Sequence, residues 1–162
     1  MGEIIMNLVM RLVGMGLLVA AGTGAGICFC LHKRQEWWQA HTFARLLLYM
    51  GRLLGYQRLT GAEMLRRAAR YPDFQTLGVE ACDELAALSA PESLPEALRQ
   101  EVQQGLLHLG EEPRAEAGAT LERLASLCEE AAERNKKEAE DASRLWPRLG
   151  ACVGVLVAIL IG

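Results

Sequence analysis

LVGMGLLVAAGTGAGICFCL, residues 12–31, runs for 20 residues without a charged side chain. That is about the length a helix needs to cross the hydrocarbon of a bilayer, ~20 residues. A second uncharged run, LGACVGVLVAILIG at residues 149–162, lies at the other end, and the residues between are amphipathic and charged. The pattern predicts an all-α protein in three parts: an N-terminal transmembrane anchor at 1–31, a cytoplasmic helical bundle at 32–148, and a C-terminal transmembrane segment at 149–162. The second run is short for a span. Started at Leu145, with Trp146 at the interface and Arg148 snorkelling, it reaches about 27 Å at a rise of ~1.5 Å per residue.

Charge sets the expected orientation. Of 17 basic and 20 acidic residues, only Arg11 and Glu3 precede the first run, and no charged side chain lies in or after the second. Residues 33–70 hold eight basic side chains against Glu36 and Glu63, whereas residues 71–148 hold eight basic against 17 acidic. A basic cluster directly after an apolar run marks the cytoplasmic side and is attracted to anionic lipid. Lys136, Lys137, Arg144 and Arg148 precede the second run in the same way. Both flanks predict a cytoplasmic middle with both termini outside. His32-Lys33-Arg34 reads as a stop-transfer flank, which favours an uncleaved anchor over a signal peptide.

Inside the runs, Gly22-xxx-Gly26 and Gly150-xxx-Gly154 place small residues four apart, the spacing that lets helices approach closely in lipid. These four glycines are the candidate helix-packing positions, either for a hairpin of the two segments or for docking on another protein. Lys33, Arg34, Arg66, Arg67 and Arg70 are the candidate partner- or lipid-binding residues. The bland alternative for them is a solvated face.

The middle reads as helices throughout, rich in Ala, Leu, Glu and Arg. Apolar residues recur every three or four positions from Trp38 through Phe43, Leu46, Leu47, Met50, Leu53 and Leu54. Trp37 and Trp38 suit either a membrane interface or the core. Thr60-Gly-Ala-Glu63 and Ser93-Leu-Pro-Glu96 read as capping boxes. A third helix is expected over 77–88, a fourth over 94–109, and a last one opening at Pro113 with Leu121, Leu124, Cys128, Ala131 and Asn135 on one stripe.

Chemistry-bearing motifs are few. Gly22-x-Gly24-x-Gly26 lies inside an apolar run and not at a strand-to-helix turn, so it is no nucleotide fingerprint. Five cysteines, three of them in the runs, form no disulfide framework. His32, His41 and His108 have no metal-ligand spacing. No Ser/His/Asp set stands out. The expectation is a non-enzymatic protein with no cofactor and no nucleic-acid partner, and with a homo-oligomer open to it.

The chain resembles the stage III sporulation protein AB family of endospore-forming bacteria over essentially its full length. The resemblance rests on the Gly-rich N-terminal run followed by His32-Lys33-Arg34, and on Tyr56 followed by Glu63-Met64-Leu65. It rests further on Leu106-Leu107-x-Leu109-Gly110, Glu129-Glu130-Ala131, Asn135-Lys136-Lys137, Leu145-Trp146-x-x-Leu149-Gly150, and Gly154-Val155 through Leu160-Ile161. It departs from the family pattern at Leu53, Thr60, Ala62, Pro113 and Ala117. The resemblance implies a helical cytoplasmic domain similar to those of type II secretion F-type platform proteins. It implies a scaffold in the mother-cell membrane around the forespore, within a channel-like complex beside an ATPase, stage III sporulation protein AA. Another pathway's two-anchor adaptor or regulatory protein would use the same residues.

Overall fold

The apolar spacing around Phe43 is realised in the longest helix of the chain, α1 (Gly2–Tyr56). The computed structural model describes the backbone of residues 2–56, 59–109 and 112–161. The side chains at Tyr56 and at positions in the outer parts of the first and last helices lie outside the described set, among them Arg11, Leu12, Met15, Leu18, Trp146, Pro147 and 158–161. Short helices α2 (Gly61–Ala68) and α3 (Pro72–Gln75) follow, then two single 3₁₀ turns at Val79–Ala81 and Leu85–Ala87. α4 (Glu96–His108) and α5 (Arg114–Ile161) complete the chain. Among the described residues there is no strand, and the protein is all-α.

The two apolar runs are not separate helices. The first is the N-terminal part of α1, and the second is the C-terminal part of α5. Among the described residues, no helix is long and apolar enough to cross a membrane. The chain divides into two compact units, one made of residues 1–34 with 136–162 and the other of residues 35–135. The second of these units ends at Asn135, partway along α5. Beyond Asn135 the apolar stripe thins to Ala139 and Ala142 among charged residues, too little surface to extend the core.

In the unit 35–135 one contiguous core gathers from every element. Phe43, Leu46, Leu47 and Met50 of α1 are fully buried, as are Leu121, Leu124 and Cys128 of α5. Val102 and Leu106 of α4, Leu65 and Ala68 of α2 and Phe74 of α3 fill the space between. Small residues set how closely the two long helices come. A Cβ on Gly51 would already stand 3.4 Å from Leu121 Cβ and 3.6 Å from the Gly118 carbonyl. Trp37, not Trp38, is the tryptophan packed against this core, and Trp38 keeps 37% of its surface exposed.

Local signals are met unevenly. Thr60 caps α2, its hydroxyl accepting from the Glu63 N–H at 3.4 Å. The Glu63 carboxylate turns to Arg67 at 3.9 Å. The second capping box does not form. Pro95 is the residue before α4, and Ser93 Oγ is buried with no partner among the described residues. The helix expected over 77–88 is replaced by turns. Gly78 takes a left-handed φ of 72°, and Cys82 and Glu84 are extended, so the i−4 hydrogen-bond ladder cannot continue. Val79 and Leu88 still reach the core, which is why their spacing looks helical in sequence.

Candidate interaction surfaces

The unit formed by residues 1–34 and 136–162 is a helix pair held by glycines. A Cβ on Gly150 would lie 3.0 Å from the Gly22 carbonyl oxygen, and one on Gly22 would lie 3.3 Å from that of Gly150. Contact this close requires hydrogen at both positions. Gly26 is buried, and the surroundings of Gly154 lie outside the described residues. Lys33 pairs with Glu138 across the same two helices at 3.7 Å, and Arg34 is exposed.

Around this pair the large apolar side chains point outward. Met10 is 74% exposed, Leu17 66% and Leu156 62%, and Met6, Val13, Ile27, Leu31, Leu149, Val153 and Val155 are all more than half exposed. Apolar side chains exposed in this number on both helices are uncommon on monomers in water.

In the unit 35–135, the basic residues of α2 lie on its outer face, opposite buried Met64, Leu65 and Ala68. Arg66 and Arg70 are exposed, and Arg67 is half-buried beside Glu63. The edge continues into an aromatic cluster. Tyr71 meets Tyr49 edge-on at 5.4 Å and Phe74 at 5.7 Å. Burial, then the neighbouring Tyr71 hydroxyl, holds the Tyr49 phenol above its usual range, while the Arg67 and Arg70 charges pull it down. Arg45 of α1 reaches Asp73 of α3 at 3.4 Å.

Next to this edge, α1 and α5 frame an open groove of about 650 Å³. Ala44, Leu48 and Ala125 form its floor, and Glu122, Glu129, Glu130 and Glu133 stand along the α5 side. His41 closes one end, its Nδ1 lying 2.9 and 3.0 Å from the two Glu129 carboxylate oxygens, with Trp37 stacked on its ring at 5.8 Å. The signal for this pairing was local only in part. Trp37, His41, Ala44, Arg45 and Leu48 recur at helical spacing, but the partner Glu129 lies 88 residues away.

Ser126 lines the same groove, so a serine, a histidine and a carboxylate share it. They do not make a nucleophilic set. Among the described residues no hydrogen bond joins Ser126 to His41. Ser126 also sits in mid-helix, where backbone N–H groups are spent on i−4 carbonyls and none is left for an oxyanion. Cys128 is no better placed. Burial first, then Glu101 and Glu129, pushes its thiol up to about 12, which keeps it protonated and unreactive. Among the described residues no group of three or more His, Cys, Asp or Glu is arranged to hold a metal ion. Comparison of the chain with protein-family models, with curated proteins and with solved structures finds no match.

Proposed function

We propose that this chain is a non-enzymatic, membrane-anchored helical platform that docks protein partners through the unit 35–135. One observation carries the reading: the outward-facing apolar side chains of the helix pair formed by residues 1–34 and 136–162. In water each such side chain forgoes part of the ~1.5–3 kcal/mol that its full burial is worth, whereas in lipid the cost disappears. The Gly22–Gly150 contact supports the same reading, since helices in lipid associate through small residues and close backbones. The side chains of several apolar positions of both runs, such as Leu12, Leu18 and residues 158–161, lie outside the described set. The full 20-residue uncharged stretch at 12–31 remains the length of a span.

The charge flanks orient the platform with the middle in the cytoplasm, and Lys33 and Arg34 at the anionic lipid surface. The resemblance to stage III sporulation protein AB assigns the platform to the complex between mother cell and forespore, with the ATPase, stage III sporulation protein AA, as the docked partner. Two measurements test this. The chain should stay in the membrane fraction after alkaline carbonate extraction, and a protease site inserted at Gln75 should resist cleavage from outside intact cells. Release by carbonate, or cleavage at Gln75, would sink the topology. The sporulation assignment stands or falls separately, on co-purification of the ATPase with the full chain from detergent extracts of sporulating cells.

A further inference from the structure

The groove and the basic edge beside it are complementary in charge, and each is incomplete alone. Of the carboxylates along the groove, Glu129 is held by His41 and Glu130 by Arg134 at 2.6 Å. Glu122 and Glu133 have no ion-pair partner among the described residues. On the edge, Arg67 is engaged by Glu63, while exposed Arg66 and Arg70 have no ion-pair partner among the described residues. Beside Arg70 stands Tyr71, an aromatic ring half open to solvent at 50%, and the groove floor of Leu48, Ala44 and Ala125 is apolar.

The two surfaces are also neighbours. Arg45 lines the groove and bonds Asp73 of α3. One turn along α1, Tyr49 touches Tyr71. A basic edge next to an acidic groove on one molecule is self-complementary under a two-fold rotation, because each patch then meets its opposite on the other copy. An aromatic ring with flanking arginines is also the kind of group that anchors protein interfaces.

We infer that two copies of this chain pair about a two-fold axis, each laying its Arg66–Arg70–Tyr71 edge over the α1/α5 groove of the other. The guanidinium groups of Arg66 and Arg70 meet Glu122 and Glu133 of the second copy, and Tyr71 enters over Leu48 and Ala125. The contact is small and rimmed by exposed charge, so it is salt-sensitive.

Sedimentation of the full chain in neutral-detergent micelles tests the pairing. The wild-type chain should be a dimer at low salt and dissociate in about 1 M salt, where charges are screened beyond about 3 Å. Two variants with reversed charge, Glu122→Lys with Glu133→Lys and Arg66→Glu with Arg70→Glu, should each weaken self-association by roughly tenfold or more. All four residues are exposed, so the helical circular dichroism should not change. The milder pair Glu122→Gln with Glu133→Gln should weaken it less. The decisive step is mixing. The two reversed variants, each weakened in pairing with itself, should form a mixed dimer at the wild-type affinity, because in that pairing both interfaces are matched again. A monomer at low salt would overturn the inference. So would a dimer indifferent to salt and reversal, which the apolar helices alone would give, or the absence of a mixed dimer.

Discussion

Gly150 of α5 sits so close to Gly22 of α1 that a methyl group on it would press on the Gly22 carbonyl oxygen at 3.0 Å. The obstacle is backbone, which cannot swing aside as a side-chain end can. Gly150→Leu should therefore separate the two helices and destabilise the full chain in micelles by about 1–3 kcal/mol, the usual cost of overpacking. Gly24, with nothing within 4 Å of a Cβ, is the control, and Gly24→Leu should leave the unfolding transition where it was. Equal effects of the two substitutions would refute a specific contact.

Leu124 is fully buried, and Leu124→Ala should cost roughly 2–5 kcal/mol. Its Cδ1 also lies 2.7 Å from where a Cβ on Gly105 of α4 would stand. Gly105→Ala should gain about 1 kcal/mol of helix propensity and lose more to this clash. In the Leu124→Ala background the clash is gone, so the same substitution should stabilise. Denaturant titrations of the four proteins should show that change of sign, a coupling expected of residues in contact.

The Cys128 thiol gives the fold a pH dependence of known sign. Folded, it keeps its proton to about 12, against 9.0 for the free group. Its contribution is fully present below about 9 and is lost as pH climbs towards 12, because the unfolded chain releases the proton first. Cys128→Ala should flatten this part of the stability profile. Alkylation at Cys128, followed by mass spectrometry, should track global unfolding and be absent from the native chain at neutral pH.

Two hydroxyls that look alike in sequence should behave in opposite ways. Thr60→Ala removes a working cap and should cost about 0.5–1 kcal/mol, the low end because the bond is long. Ser93→Ala removes a buried hydroxyl with no partner among the described residues, and should be neutral or stabilising. The Ser93 carbonyl keeps its bond from Asn135 Nδ2 at 3.0 Å, which does not depend on the side chain. Thermal melts of the two variants check the contrast.

Much of the fold was legible because it rests on short-range rules. Three- and four-residue spacing placed Phe43, Leu46, Leu121 and Leu124 on buried faces, and Thr60 announced the start of α2. Small residues four apart pointed to Gly22 and Gly150, although spacing alone could not say that they meet each other. Where the reading failed, a non-local or conformational fact decided. Gly78 adopts a left-handed turn that apolar spacing does not reveal, and Ser93 lies two residues too early once Pro95 takes the capping position of α4. The groove escaped altogether. Its two walls are distant in sequence, and each wall, taken alone, resembles an ordinary solvated face.

That long separation carries a consequence for how the chain is made. Phe43, Leu46, Leu47 and Met50 are buried in a core completed by Leu121, Leu124 and Cys128, and the His41–Glu129 pair closes a loop of 88 residues. At synthesis rates of about 5–20 residues per second, the apolar face of α1 waits roughly 4–18 seconds for its covering helix to leave the ribosome. The most hydrophobic surface of the domain is thus the first one made and the last one protected. A nascent chain stalled before residue 121 should be the species most prone to aggregation and most dependent on chaperones.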